Sequence, residues 1–274
     1  MNLQIKLIEK IKKENPLIHC ITNYVTVNDC ANILLALGTS PIMSDEILEA
    51  EEATSKSSGL YINLGTVNQR TKQSMQKSIE VAQQFKIPVL LDPVGVGFTK
   101  FRTETATQLI SSNKINVIRA NLSEMKALAG QENKTKGVDS THDYTNDFEE
   151  AVDFAKMFAR KTKSIIVISG EKDIISDKNG SRIAIINNGH KMMKKITGSG
   201  CMLSALITAF ISCCDSSLEF DSVCTAVMLM DLCGEKAFKH MKKNDGNASF
   251  RNYLIDAVFN FKPEDLKKAV YEIR

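Results

Sequence analysis

Short apolar runs alternate with helical patterns over most of this 274-residue chain, and that alternation limits the fold more than any other feature. Residues 17–21, 60–64, 89–91, 117–118 and 165–168 are continuous apolar runs of strand length, as expected of strands buried on both faces. Between them, helical periodicity covers residues 27–37, 67–85, 103–112 and 148–161. In the last of these, Phe148, Val152, Ala155 and Ala159 recur at helical spacing with charges between them. The alternation predicts an α/β domain with a central, mostly parallel sheet and helices on both faces. Residues 174–176 and 181–187, parted by Asp177-Lys178-Asn179-Gly180, predict a hairpin and hence an antiparallel edge. Residues 1–14 predict an amphipathic helix, and Lys262-Pro263-Glu264-Asp265 opens a last one with proline at its first position. The polar stretch 130–147 is the one long loop, of a length that suits a lid or disorder. No linker composition interrupts the chain, so residues 1–274 are expected to form a single domain.

The formal net charge is +3, from 35 basic and 32 acidic residues, so no polyanion-binding surface is implied. Tryptophan is absent and aromatics are few, which argues against stacking platforms for nucleic acid. The seven cysteines form no C-x-x-C pair, their number is odd, and no signal peptide opens the chain. A reduced, cytoplasmic protein is the expectation. The longest apolar runs are too short to span a bilayer, and the four histidines lack metal-ligand spacing.

Ile196-Thr197-Gly198-Ser199-Gly200-Cys201 is followed at once by an apolar stretch ending near Phe210. Two glycines one residue apart let backbone N–H groups turn inward, and the helix that follows adds its unpaired first-turn donors and positive dipole end. The combination is an anion site, suited to phosphate. The same field is expected to favour a thiolate at Cys201, although a tight turn before a buried helix also explains the run.

In open α/β sheets, ligands bind beyond the carboxyl ends of the strands. Those ends carry Thr22-Asn23, Gly65-Thr66, Asp92-Pro93-Val94-Gly95-Val96-Gly97, Arg119-Ala120-Asn121 and Ser169-Gly170-Glu171. Asp92 reads either as a turn carboxylate or as a group holding Mg²⁺ against a phosphate. Gly95 and Gly97 lack the third glycine of a dinucleotide fingerprint, and no P-loop pattern occurs. Asn121-Leu122-Ser123-Glu124 reads as a capping box opening a helix over 123–129, and equally as an amide and a carboxylate aimed at the end of the sheet. Arg119 needs an anionic partner if buried, and a nucleotide phosphate is one such partner. Met43 reads as a core methionine or as the lining of an apolar pocket.

Several of these segments, in this order, resemble the hydroxyethylthiazole kinases. They are Asn15 through Thr26, Val27-Asn28-Asp29-Cys30-Ala31-Asn32, Ser40-Pro41-Ile42-Met43, Leu91-Asp92-Pro93-Val94-Gly95, Arg119 through Glu124, Gly137-Val138-Asp139-Ser140 and Thr197 through Cys201. The resemblance implies a ribokinase-like fold and transfer of the ATP γ-phosphoryl group to 4-methyl-5-(2-hydroxyethyl)thiazole in thiamine salvage. By position, Met43 is implied to contact the thiazole with Asn23, Val25 and Gly198 near it. Arg119 and Ser169 are implied to bind ATP, Asp92 and Glu124 to serve Mg²⁺ and the phosphates, and Cys201 to occupy the catalytic position. A homotrimer with sites at subunit interfaces is also implied. Ala120 and Ser199 depart from the glycine and threonine expected at their positions, which bears on fine geometry.

Three rival readings remain open at this point. The acceptor could be another heterocyclic alcohol such as a hydroxymethylpyrimidine, the chain could be a silent thiazole- or nucleotide-binding protein, or Cys201 could act as a nucleophile. The last needs a nearby base, and no histidine can be assigned to that role.

Overall fold

The computed structural model describes residues 2–112, 115–131 and 144–274. A nine-stranded sheet runs β2-β1-β3-β4-β5-β6-β7-β8-β9, from β1 (Leu17–Ile21), β2 (Ser40–Met43), β3 (Gly59–Asn63), β4 (Val89–Asp92), β5 (Val117–Asn121), β6 (Ile165–Ser169), β7 (Asp173–Ser176) and β8 (Ile183–Ile186) to β9 (Tyr271–Ile273). The first six pair in parallel, while β7, β8 and β9 continue antiparallel. The α/β expectation and the antiparallel extension both hold.

Alternate side chains of each strand feed opposite cores, because successive Cβ atoms point to opposite faces. In β4, Leu90 joins one core and Val89 and Leu91 the other; in β6, Ile165 and Val167 face one way, Ile166 and Ile168 the other. The first core is closed by α1 (Asn2–Glu14), α2 (Val27–Leu37), α8 (Ser199–Ser212), α9 (Glu219–His240) and α10 (Asn247–Phe259). The second is closed by α4 (Gln69–Gln84), α5 (Lys100–Ser112), α6 (Leu122–Leu128) and α7 (Tyr144–Thr162). Every residue of α8 from Cys201 to Ile211 is buried, because the helix packs on β3 and β4 and is covered by α2 and α9. An all-round apolar helix of this kind is stable only in such a position.

The differences from expectation lie at the margins. β2 is an edge strand carrying Pro41, and proline in a ladder is tolerated only at an edge. The short helix α3 (Ala50–Ser55) and the exposed edge strand β9 carry too little apolar pattern to be read from sequence. The segment after Lys262 forms a 3-10 helix, Pro263–Lys268, with Asp265 accepting from the Lys262 N–H at 3.1 Å. It packs against α1, whose Leu7, Ile8 and Ile11 are buried. Helix α7 begins at Tyr144, inside the predicted loop 130–147; the rest of that loop, including the Gly137–Ser140 motif, lies mostly or wholly outside the described residues. All seven cysteines are free, and among the described residues no helix is long and apolar enough to cross a membrane.

Candidate active site

Strand order reverses between β1 and β3, and a cavity of about 270 Å³ opens there, beyond the carboxyl ends of β1, β2 and β3. Thr22, Tyr24, Met43, Asn63, Thr66 and Asn68 line it, with Asp45 and Arg70 paired at 3.1 Å on its rim. The Thr22 hydroxyl is buried and has no hydrogen-bond partner among the described residues. Met43, at the end of β2, lines this space and packs against the first core. The segment that follows is pinned by His19, whose Nε2 lies 3.1 Å from the Ser44 carbonyl and whose Nδ1 lies 2.9 Å from Thr54 Oγ1. A carbonyl can only accept, so Nε2 carries the proton and Nδ1 accepts from Thr54. Burial lowers the His19 pKa and keeps the ring neutral.

A second cavity, of about 600 Å³, lies beyond β5 and β6, between the 188–194 segment and the start of α8. Arg119 and Ser169, expected together, lie side by side there, with Arg119 Nη2 donating to Ser169 Oγ at 2.6 Å. Lys194, Ser199 and Gly200 add donors and positive charge to the same wall.

The start of α8 forms part of the wall of this larger cavity, through Ser199 and Gly200. Gly198 caps the helix at φ +85°, and a Cβ there would also lie 2.6 Å from Thr26 Cγ2. Gly200 does not share that backbone conformation. Its lack of a side chain is required for space, since a Cβ would sit 2.3 Å from Arg119 Nη1. One glycine thus shapes the turn and the other admits the guanidinium. No side chain caps α8, so its first-turn N–H groups remain free to meet an anion.

Behind this turn is a buried polar knot. Asp92 Oδ2 accepts from Ser204 Oγ at 2.8 Å, Asn63 Nδ2 at 3.2 Å and Tyr61 OH at 3.3 Å, with Arg119 Nη1 at 3.8 Å. Every one of these groups addresses the same oxygen. Asp92 Oδ1 is buried with no partner among the described residues. Burial pushes the Asp92 carboxyl up to about 6, against the pull of Arg119 and Ser204. Cys201 Sγ lies 3.3 Å from Asn63 Nδ2 and 3.5 Å from Asn23 Nδ2. The thiolate expected at Cys201 is not supported. Burial, and then the Asp92 charge, raise the thiol above its ordinary range, because the helix start does not offset the loss of water.

Asn23 is buried and organises its neighbours, accepting from the N–H groups of Val25 and Thr26 at 3.1 and 3.0 Å. Val25 is more than half exposed and lies outside the lining of either cavity. Of the two readings of Asn121–Glu124, the capping box is present in the structure, with both reciprocal bonds. Glu124 Oε1 also accepts from the Gly95 N–H at 2.8 Å, which joins α6 to the turn after Asp92. Sequence reasoning missed Asp173, Asn188, His190, Lys194 and Asp231 in the larger cavity. Asp231 left a signal, being an acid inside the apolar run Met228-Leu229-Met230-Asp231-Leu232.

The sequence model of the hydroxyethylthiazole kinase family matches residues 8–264. A hydroxyethylthiazole kinase of Clostridium acetobutylicum is 50% identical over 266 residues, which is 96% of each chain. The solved structure of a hydroxyethylthiazole kinase protein from Pyrococcus horikoshii is 30% identical and covers all of both chains with a TM-score of 0.88. A pyridoxal kinase from Staphylococcus aureus, solved with AMP-PCP and pyridoxal, has a TM-score of 0.59 at 15% identity over 94% of this chain and 97% of its own, a likeness of fold alone.

Proposed function

The chain belongs to the hydroxyethylthiazole kinase family, and from that premise we propose how its two cavities divide the reaction. The protein is a ribokinase-like phosphotransferase that transfers the γ-phosphoryl group of ATP to hydroxyethylthiazole in thiamine salvage. The smaller cavity takes the thiazole, with Met43 against the ring and Asn23, Val25 and Gly198 shaping the approach to it. The larger takes ATP, with Arg119 and Ser169 on the phosphates. The observation that supports this division is the uncapped start of α8, where Ser199 and Gly200 line the larger cavity beside Arg119.

The hydroxyl oxygen bonds to the γ-phosphorus as the bond to ADP breaks, and the hydroxyl proton leaves to water. Phosphoryl transfer needs positioning and neutralised charge more than a strong base. The α8 N-terminus and Arg119 supply both, while Cys201 stays protonated and shapes the wall. The unpartnered Asp92 Oδ1 and the Glu124 carboxylate fit Mg²⁺, a hard cation that takes few protein oxygens and completes its shell with phosphate and water. When bound, the ion supplies countercharge to the phosphates. We also propose that residues 1–274 act as one kinase domain in the cytoplasm and assemble as a homotrimer with its sites at subunit interfaces. Exposed Tyr24, Val25 and Leu48 beside the smaller cavity support that assembly.

The test is ADP release by purified protein with ATP and Mg²⁺, with hydroxyethylthiazole, with a hydroxymethylpyrimidine and with no acceptor. Thiazole-dependent release is expected. Release with the pyrimidine alone would reassign the acceptor, and no release despite thiazole binding would mean a silent binding protein.

A further inference from the structure

The larger cavity has a second wall, opposite in charge to the Arg119 side and used by none of the roles above. Asp173, the first residue of β7, accepts from the Gly170 N–H at 3.0 Å through Oδ1. Its carboxyl also hydrogen-bonds to that of Asp231, which projects from the middle of α9. Both residues line the cavity, at 7% and 4% exposure. Two carboxyls this close cannot both ionise in a buried site, so the pair holds one proton and one negative charge. Burial and the charge of Asp173 put the proton on Asp231.

Apart from the Asp173 carboxyl, Asp231 has no hydrogen-bond partner among the described residues, so one of its two oxygens is left vacant, and Oδ2 is fully buried. The neighbouring donors of Asn188 and Gly189 are engaged elsewhere. Glu235, one turn further along α9, takes the N–H of Gly189 at 3.2 Å and the Asn188 amide at 2.9 Å. That fixes Gly189 at φ +97° with its open face toward Asp231, where a Cβ would lie 3.3 Å from Oδ1. A buried acceptor without a donor is costly, and it is a recurring mark of a ligand site. The net negative charge excludes phosphate from this wall, while Arg119, Lys194 and the start of α8 attract it on the other.

We propose that the Asp173–Asp231 pair reads the nucleoside of the phosphoryl donor, its vacant oxygen accepting a hydrogen bond from a hydroxyl of the ribose or an amino group of the base. The proposal rests on the ATP reading of the larger cavity. It makes the pair a selectivity determinant, because a site built around a hydrogen bond rejects the analogue that lacks it.

The experiment compares thiazole-dependent kcat/KM for ATP, 2′-deoxy-ATP, the analogue lacking the 6-amino group and inorganic triphosphate. It uses the wild type, Asp231→Asn and Asp231→Leu, with thermal melts for each. Wild type is expected to prefer ATP at least tenfold over one of the two analogues, and which one identifies the donor. Asp231→Asn, which keeps an acceptor and a hydrogen bond to Asp173, retains that preference. Asp231→Leu loses it through a higher KM, with kcat within about threefold. Equal use of ATP and both analogues by the wild type overturns the proposal without any variant, as does a Leu variant that keeps the preference. Should Asp231→Leu not fold, Asp231→Ala, which also removes both oxygens, replaces it under the same criterion. Failure of the wild type to use ATP at all defeats the underlying kinase reading instead, so the two failures are distinct.

Discussion

The two cavities are built by different means. The smaller one is walled by neutral groups and one rim ion pair, drawn from three neighbouring strands and the loops after them within the first third of the chain. The larger is walled by charges of both signs from segments as far apart as Arg119, Lys194 and Asp231. A site for a small neutral alcohol needs shape and a few hydrogen bonds. A site for a polyanion attached to a neutral nucleoside needs charge sorted by position. Changes in one cavity should therefore leave the other's ligand affinity nearly intact, except where a side chain serves both.

Asp92, in the buried knot behind the α8 turn and the proposed holder of Mg²⁺, is common to the reaction rather than to one cavity, and Asp92→Asn is expected to cost the most, roughly 10²–10³-fold in kcat. The measurement is kcat with both substrates saturating, and an effect confined to either KM would remove Asp92 from the shared centre. Next comes Gly200→Ala, whose Cβ displaces the Arg119 guanidinium from its place beside the nucleotide cavity. Losing a charge-assisted contact predicts a rise of about 10–100-fold in KM for ATP. Thiazole affinity by calorimetry should be unchanged. Met43→Ala is the converse, expected to raise KM for the thiazole about tenfold through lost apolar contact while KM for ATP stays put. If either substitution moves the other substrate's constant equally, the cavities are not independent.

Cys201 sits in the buried knot beside Asn63 and Asn23, and its thiol is no base. Cys201→Ala should lower kcat less than tenfold, whereas loss of a working general base costs about 10²–10⁴-fold and would restore that role. The smallest effect concerns His19 beneath the smaller cavity. Its folded pKa lies below the unfolded value of 6.5, so the unfolded chain binds the extra proton first. Stability is then fully present above pH 6.5 and declines as pH falls below it. Urea melts across that range should show the decline, and His19→Gln should flatten it.

The smaller cavity was the more legible in sequence because its groups lie just after the apolar strands of one contiguous region, as Thr22 and Met43 do. The paired strands and the two-faced cores followed from the same apolar runs. The larger cavity was legible only in Arg119, Ser169 and the 198–201 turn. Asp173 and Asp231 are 58 positions apart in sequence, and nothing local in either announces the other. The error at Cys201 has the same root. A helix start is visible in sequence, but the burial that outweighs it comes from α2, β3 and β4 packing around the thiol. Both glycines of the turn were noticed, yet only tertiary contact shows that Gly200 makes room for Arg119.

The packing of α1 against residues 263–268 and α9 has a consequence for how the protein folds. Leu7, Ile8 and Ile11 are buried in a helix whose partners are α8, α9 and the 263–268 turn, so α1 is covered only after those distant segments have folded. Closure of the first core therefore waits on contacts of long sequence separation, between residues 2–14 and residues 199–268. The state most exposed to aggregation is thus the one in which most of the sheet is paired and its first core still lies open.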